Sequence, residues 1–253
     1  MGDFKISDIL ICENINVIVC AHEDYEPMNK VGMMWTLVDT ECFGTLIFWK
    51  VNANYTEAER IAKLDFEQRI SKLLTDKESK VFIIGTDDGE LQIIPREVIL
   101  DKKSLQDNHY RNKVLGGRMI GLSWMIEGKV LAIAGADNFL RLFDMSSVKV
   151  VGGGSLNKRL EGGSLTTMEV DRIGCRIFFG SNKGTIMCYR VNTENYQPSF
   201  MYTIILGSGA LTGMSVTALS YSHENIFVGC GSQVLIYNVT GVKDPKNVPL
   251  PNT

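Results

Sequence analysis

The chain has 253 residues, 45% of them apolar and 22% charged, values typical of a globular protein able to bury a core without disulfides or metals. Its formal net charge of −3 argues against a general nucleic-acid binder, which carries a basic excess. No run approaches the roughly 18 consecutive apolar residues that a membrane-spanning helix needs.

The start, Met1-Gly2-Asp3-Phe4-Lys5, lacks the basic segment and apolar run of a secretory signal, so a cytoplasmic protein is expected, with the nucleus as the alternative. Residues 4–11 read as a strand. Asn16 to Ala21 then reads as the first strand of a repeat, Gly32 to Val38 as its second, and Phe43 to Trp49 as its third. Thr56 to Leu74 has the best helical spacing in the chain, yet Ala58 to Phe66 also reads as an outer strand, which is the preferred reading. Further on, the apolar runs Val81 to Gly85, Val130 to Gly135, Arg176 to Gly180 and Asn225 to Gly229 are each followed by a tight-turn group and a second strand. Each pair has a strand before it: Ile70 to Thr75, Met119 to Met125, Leu165 to Val170 and Val216 to Tyr221. The outermost strands are expected at Val98 to Asp101, Val148 to Gly152 and Ser199 to Leu206. The last repeat lacks one, because the segment after Val239 is rich in proline.

Recurrence is the main signal. A turn residue (Gly44, Gly89, Asn138, Gly184, Ser232) stands five places before a large closing residue (Trp49, Ile94, Phe143, Tyr189, Tyr237). Gly and Asn suit tight hairpins because they tolerate positive φ. Successive closing residues are 45, 49, 46 and 48 positions apart, close to the period of a four-stranded propeller blade. Phe143-Asp144 resembles the Trp-Asp pair that closes a WD40 repeat, and Asp88 and Asp137 match the aspartate of that family's hairpin. The other closing pairs, and Lys183 and Gly231 at the hairpin, depart from the pattern. No Gly-His pair opens a repeat, so the family's Asp-His-Ser-Trp network is not encoded. The resemblance is to a divergent WD40-like propeller. It implies an all-β chain of five four-stranded blades forming a single domain over residues 1–253, with a proline-rich tail at 241–253. Residues 4–11 are expected to complete the last blade, since joining the two ends would remove exposed sheet edges. An open ring whose gap a partner protein fills is the competing reading.

The candidates for chemistry are few. Gly207 to Gly213 mimics a dinucleotide fingerprint, but a strand follows where the mechanism needs a helix, so it reads as a connection between blades. Gly152 to Ser164 carries Lys158-Arg159 without a Gly-Lys-Ser/Thr sequence and reads as a connecting loop. Cys12, Cys20, Cys42, Cys175, Cys188 and Cys230 form no CxxC pair and no metal spacing with His22, His109 or His223. Reduced, mostly buried thiols are expected, with no cofactor, no metal and no catalytic set.

The resemblance places the residue before each innermost strand on the top rim of the channel: Arg69, Arg118, Ser164 and Ser215. The neighbouring hairpins add Asp87, Asp88, Asp137 and Lys183. Paired arginines can grip a carboxylate or phosphate, although isolated surface charges usually do nothing specific. A non-catalytic platform or complex subunit is therefore expected, binding other proteins through Arg69, Arg118, Asp87 and Lys183, with Asp88 and Asp137 holding the hairpins. The alternative is a carbohydrate-binding or glycoside-processing propeller, for which Glu169 and Asp171 are the nearest acids.

Overall fold

The computed structural model describes residues 5–23, 44–52, 54, 56–100, 109–206 and 213–239. Nearly all of them lie in antiparallel strands or their turns. The chain divides into two compact units, residues 1–113 and 114–253, which are described separately below.

The first unit holds two four-stranded sheets. Sheet 1 contains β1 (Lys5–Cys12), β2 (Val17–Glu23), β3 (Gly44–Val51) and β4 (Ala58–Phe66) in that order. Sheet 2 contains β5 (Ile70–Thr75), β6 (Val81–Thr86), β7 (Glu90–Pro95) and β8 (Tyr110–Lys113), with the one-turn helix α1 (Arg96–Leu100) between its last two strands. Side chains alternate across a strand. Val19, Ala21, Leu46 and Phe48 therefore share one face of sheet 1, and they pack on Ile70, Leu73, Phe82, Ile84 and Ile94 of sheet 2. Polar contacts pin the same pair of sheets. The Leu73 amide donates to Asp8 Oδ2 at 2.7 Å, and Ser79 Oγ donates to Asn14 Oδ1 at 2.7 Å.

The second unit holds three sheets. Sheet 3 contains β9 (Met119–Ile126), β10 (Val130–Gly135), β11 (Phe139–Asp144) and β12 (Lys149–Ser155). After the short helix α2 (Asn157–Leu160), sheet 4 contains β13 (Leu165–Asp171), β14 (Arg176–Ser181), β15 (Thr185–Val191) and β16 (Pro198–Ile205). Among the described residues sheet 5 has three strands, β17 (Val216–Ser222), β18 (Asn225–Cys230) and β19 (Gln233–Asn238). One apolar core joins sheets 3 and 4, and a second joins sheets 4 and 5. The all-β blade architecture expected from the recurrence is thus present.

Three expectations are corrected. Residues 4–11 were expected in the last blade, but β1 pairs with β2 as the first strand of sheet 1, from Lys5–Glu23 to Cys12–Val17. The reason is local. A 3-10 turn at Glu13–Ile15, closed by Asn16 in the left-handed region (φ 52°), brings the chain straight back, and consecutive strands on so short a link pair with each other. Asn16 to Ala21 accordingly falls mostly in the second strand; Gly32 to Val38 lies outside the described residues. The outer strand of sheet 2 is β8, not Val98 to Asp101, which falls largely in α1. The glycines at 152–154 belong to β12 rather than to a loop. A Cβ on Gly152 would lie 2.1 Å from the Tyr196 carbonyl oxygen, and Gly153 has φ +124°, so close approach and a bulge against β11 require glycine there. The fingerprint-like segment lies outside the described residues except Gly213, and β17 follows it.

Packing between sheets is tight at Gly180, where a Cβ would meet Val216 Cγ1 at 2.5 Å and Thr167 Cγ2 at 2.7 Å. Its counterpart in sheet 5, Gly229, would meet only Thr217 and Ala218 of its own sheet. Gly180→Val is expected to destabilise the protein by about 1–3 kcal/mol through overpacking. Gly229→Val is expected to cost less. Urea-denaturation midpoints of the two variants check this order.

Candidate interaction face

At one end of sheets 2, 3 and 4, the start of the innermost strand meets the hairpin between the second and third strands. The same backbone bond closes this junction three times. Asp87 N–H donates to the Arg69 carbonyl at 2.9 Å, Ala136 N–H to Arg118 at 2.8 Å, and Asn182 N–H to Ser164 at 3.0 Å. Arg69, Arg118 and Ser164 therefore occupy equivalent positions in sheets 2, 3 and 4.

In the first unit, Arg69 and Asp87 are half-buried at this end of sheet 2. Asp88 holds the hairpin, accepting from Thr86 Oγ1 at 2.5 Å and from Gln68 Nε2 at 2.7 Å. Nearby, Arg111 Nε donates to Glu90 Oε1 at 2.6 Å, and this hydrogen bond raises the arginine above its ordinary value. In the second unit, Arg118 is exposed. Asp137 accepts from the Gly116 amide at 2.7 Å and from the Phe139 amide at 3.1 Å. Lys183 is exposed as well, with its Nζ 2.9 Å from the Glu161 carbonyl oxygen to which it donates. The two hairpin aspartates are therefore bonded to the chain around them, and Arg118 and Lys183 are exposed residues of the same end.

The sequence reading treated Asn138 as a turn residue only. In the structure it has φ 60° and also links sheets 3 and 4. Its Nδ2 donates to Asn157 Oδ1 at 2.9 Å, and its Oδ1 accepts from the Leu165 amide at 3.0 Å. Asn182 Oδ1 likewise accepts from the Ser164 amide at 2.9 Å. Each such hydrogen bond contributes about 0.5–1.5 kcal/mol. The turn residue was legible in sequence, but its partners, 19 to 27 positions away, were not.

A second cluster was missed entirely. Arg176 Nε donates to Asp171 Oδ2 at 2.8 Å, its Nη2 donates to Tyr221 Oη at 2.8 Å, and its Nη1 donates to the Val239 carbonyl at 3.3 Å. Burial works against the guanidinium charge, but Asp171 outweighs it and the net shift is upward. This cluster ties sheet 4 to sheet 5. Only the placement of Asp171 and Arg176 on either side of the β13–β14 turn could have signalled it.

The two acids weighed for glycoside chemistry behave differently. Asp171 is buried and paired with Arg176. Burial pushes the Glu169 carboxyl up, partly opposed by a hydrogen bond from the Tyr221 amide and by the charge of Arg172. Neither arrangement supplies the two carboxylates facing one sugar that such chemistry uses. Among the described residues no group of three or more His, Cys, Asp or Glu could hold a metal ion. The described cysteines are free thiols, and burial pushes Cys188 up to about 11. At the other end of sheet 4, a shallow depression of about 440 Å³ is lined by Cys175, Arg190, Asn192, Glu194 and Ser199, among others. A similar one of about 390 Å³ runs along Lys50 to Glu59.

No family model and no curated protein matches the chain. Among solved structures it is similar to a chain in the crystal structure of the mitotic checkpoint complex, with a TM-score of 0.59 and 13% identity. The match covers 94% of this chain and 64% of that one. The likeness shows the fold, a β-propeller. The present chain spans less than two thirds of that neighbour's length. Among the described residues, no helix is long and apolar enough to cross a membrane.

The carboxyls on β13 give opposite expectations. Removing one partner of a buried ion pair costs about 3–5 kcal/mol, so Asp171→Asn should lower the melting temperature clearly. Glu169 has a folded-state value above its unfolded one, so its ionisation costs stability as pH rises through that folded value. Glu169→Gln should therefore raise the melting temperature at pH 7, with the gain shrinking towards pH 4. Thermal melts of both variants across that range check both signs.

Proposed function

We propose that the chain is a divergent WD40-like propeller acting as a non-catalytic platform that binds other proteins through the rim of hairpin turns. The observation that carries this reading is the repeated rim junction. Equivalent backbone bonds fix Arg69, Arg118 and Ser164 against their hairpins, so the side chains there are offered on a rigid base. Rigid loops on a sheet scaffold suit recognition, because little ordering entropy is lost on binding. Two further points support it. Asp88 and Asp137 each hold a hairpin through hydrogen bonds, as WD40-type aspartates are expected to do. The similar solved chain belongs to a multi-protein complex, which favours protein partners over a small-molecule substrate.

In this reading the first unit contributes Arg69 and Asp87, and the second contributes Arg118 and Lys183. Each arginine can take a carboxylate bidentately, which suits an acidic stretch on a partner. Arg69→Glu and Arg118→Glu, singly and together, are expected to weaken recovery of partners in a pull-down from the native cell, most strongly in the double variant. Circular dichroism should stay unchanged, since neither side chain belongs to an apolar core. Unchanged recovery by a folded double variant would remove the rim as the binding face.

A further inference from the structure

The segment that joins sheets 3 and 4 carries Lys158-Arg159, two cations outside the rim set described above. It is fixed from both sides. On the sheet 3 side, Asn138 Nδ2 donates to Asn157 Oδ1 at 2.9 Å, and the Leu156 amide donates to the Asn138 carbonyl at 2.9 Å. On the sheet 4 side, Lys183 Nζ donates to the Glu161 carbonyl at 2.9 Å, and the Ser164 amide donates to Asn182 Oδ1 at 2.9 Å. Leu156 and Leu160 enter the apolar core at 2% and 3% exposure. Arg159 lies over the Phe200 ring, 4.2 Å from its centroid, and holds α2 against β16. So short a helix has little stability of its own, and these contacts supply it.

What this anchored segment offers outward is charge. Asn157, Lys158, Glu161, Asn182 and Lys183 are exposed. Lys158 on α2 and Lys183 on the β14–β15 hairpin stand on two elements that meet at the Glu161 carbonyl. Asp137, on the neighbouring hairpin, is committed to the Gly116 and Phe139 amides, which leaves Glu161 as the exposed carboxylate of the segment. The background charge agrees. Residues 114–253 hold 12 of the chain's 26 Lys and Arg but only 9 of its 29 Asp and Glu, so this unit is basic within an acidic chain.

We infer that α2 and the β14–β15 hairpin together bind an acidic segment of a partner protein, with Lys158 and Lys183 each facing a carboxylate. This rests on the hairpin end being a binding face, and it adds α2 to that face. A lysine ammonium is a compact point charge that accepts a carboxylate from many directions, which suits a run of acidic side chains. A single-stranded nucleic acid fits less well, because it stacks on exposed rings beside a basic groove and none of the exposed residues here is aromatic. A membrane surface fits less well too, because the apolar residues of the segment, Leu156 and Leu160, point into the core and have nothing to insert.

The test is fluorescence anisotropy of a short labelled peptide rich in Glu and Asp, titrated with the full chain. Wild type should bind it, more weakly as salt is raised. Lys158→Glu should weaken binding by about threefold or more, and Glu161→Gln should strengthen it. Lys149→Glu makes the same change in net charge at the opposite end of sheet 3, where the residue is also exposed, and should leave binding within about twofold of wild type. Thermal melts check that each variant is folded, and the milder Lys158→Gln should shift binding in the same direction as the reversal. No binding by wild type, equal losses in Lys158→Glu and Lys149→Glu, or tighter binding of an RNA oligomer of equal charge or of phosphoinositide vesicles would each overturn the inference. Loss of the peptide arm while Arg118→Glu still lowers partner recovery would overturn it alone and leave the rim reading standing.

Discussion

The fold of this chain rests on one constraint: sheet faces that meet inside a unit must be apolar, and sheet 4, packed between sheets 3 and 5, must be apolar on both faces. A strand alternates its side chains, so residues i and i+2 serve one neighbour and i+1 and i+3 serve the other. That accounts for near-continuous apolar runs such as Val130 to Ala134 and Ile177 to Phe179, all buried. It also accounts for glycine at Gly180. With a side chain already at Val216, the two sheets approach too closely for a Cβ.

Polar groups serve a different purpose from the apolar faces. The apolar sets set the distance between sheets, but they are non-directional and would tolerate sliding. Asp8 bonded to the Leu73 amide, Asn138 bonded to the Leu165 amide, and Arg176 bonded to Tyr221 fix one sheet against the next at defined atoms. All three tie a residue of one sheet to the sheet that follows it. The WD40-type His-Ser-Trp network is absent from the sequence, and these contacts do comparable positioning with other residue types. The sheets are therefore held in register here without the residue types that the WD40 pattern uses.

Much of this was legible in the sequence, for identifiable reasons. Strand runs bounded by turn residues located β5 to β7, β9 to β11 and β13 to β15, because alternation and hairpin chemistry are local. Equal spacing gave the register of Arg69, Arg118 and Ser164, since a repeated hairpin repeats its bonds. The failures came where local signals are weak or misleading. The β1–β2 connection contains neither glycine nor proline, so Glu13 to Asn16 did not read as a turn, and an argument about sheet edges sent β1 to the wrong sheet. The segment after β7 carries a short helix where an outer strand was expected. Arg176 was overlooked because its partners Tyr221 and Val239 are 45 and 63 positions away.

The distinction between the two carboxyls on β13 shows how position outweighs residue type. Asp171 and Glu169 lie two residues apart on one face of the same strand. Asp171 meets a guanidinium that is itself held by a phenol and a carbonyl, so its charge is matched where it is buried. Glu169 has a single backbone donor and a more distant arginine charge, and burial prevails. A catalytic reading would need the protein to hold both acids towards a common open space. Here Asp171 is held in the contact that joins sheets 4 and 5, and burial works against a charge on Glu169.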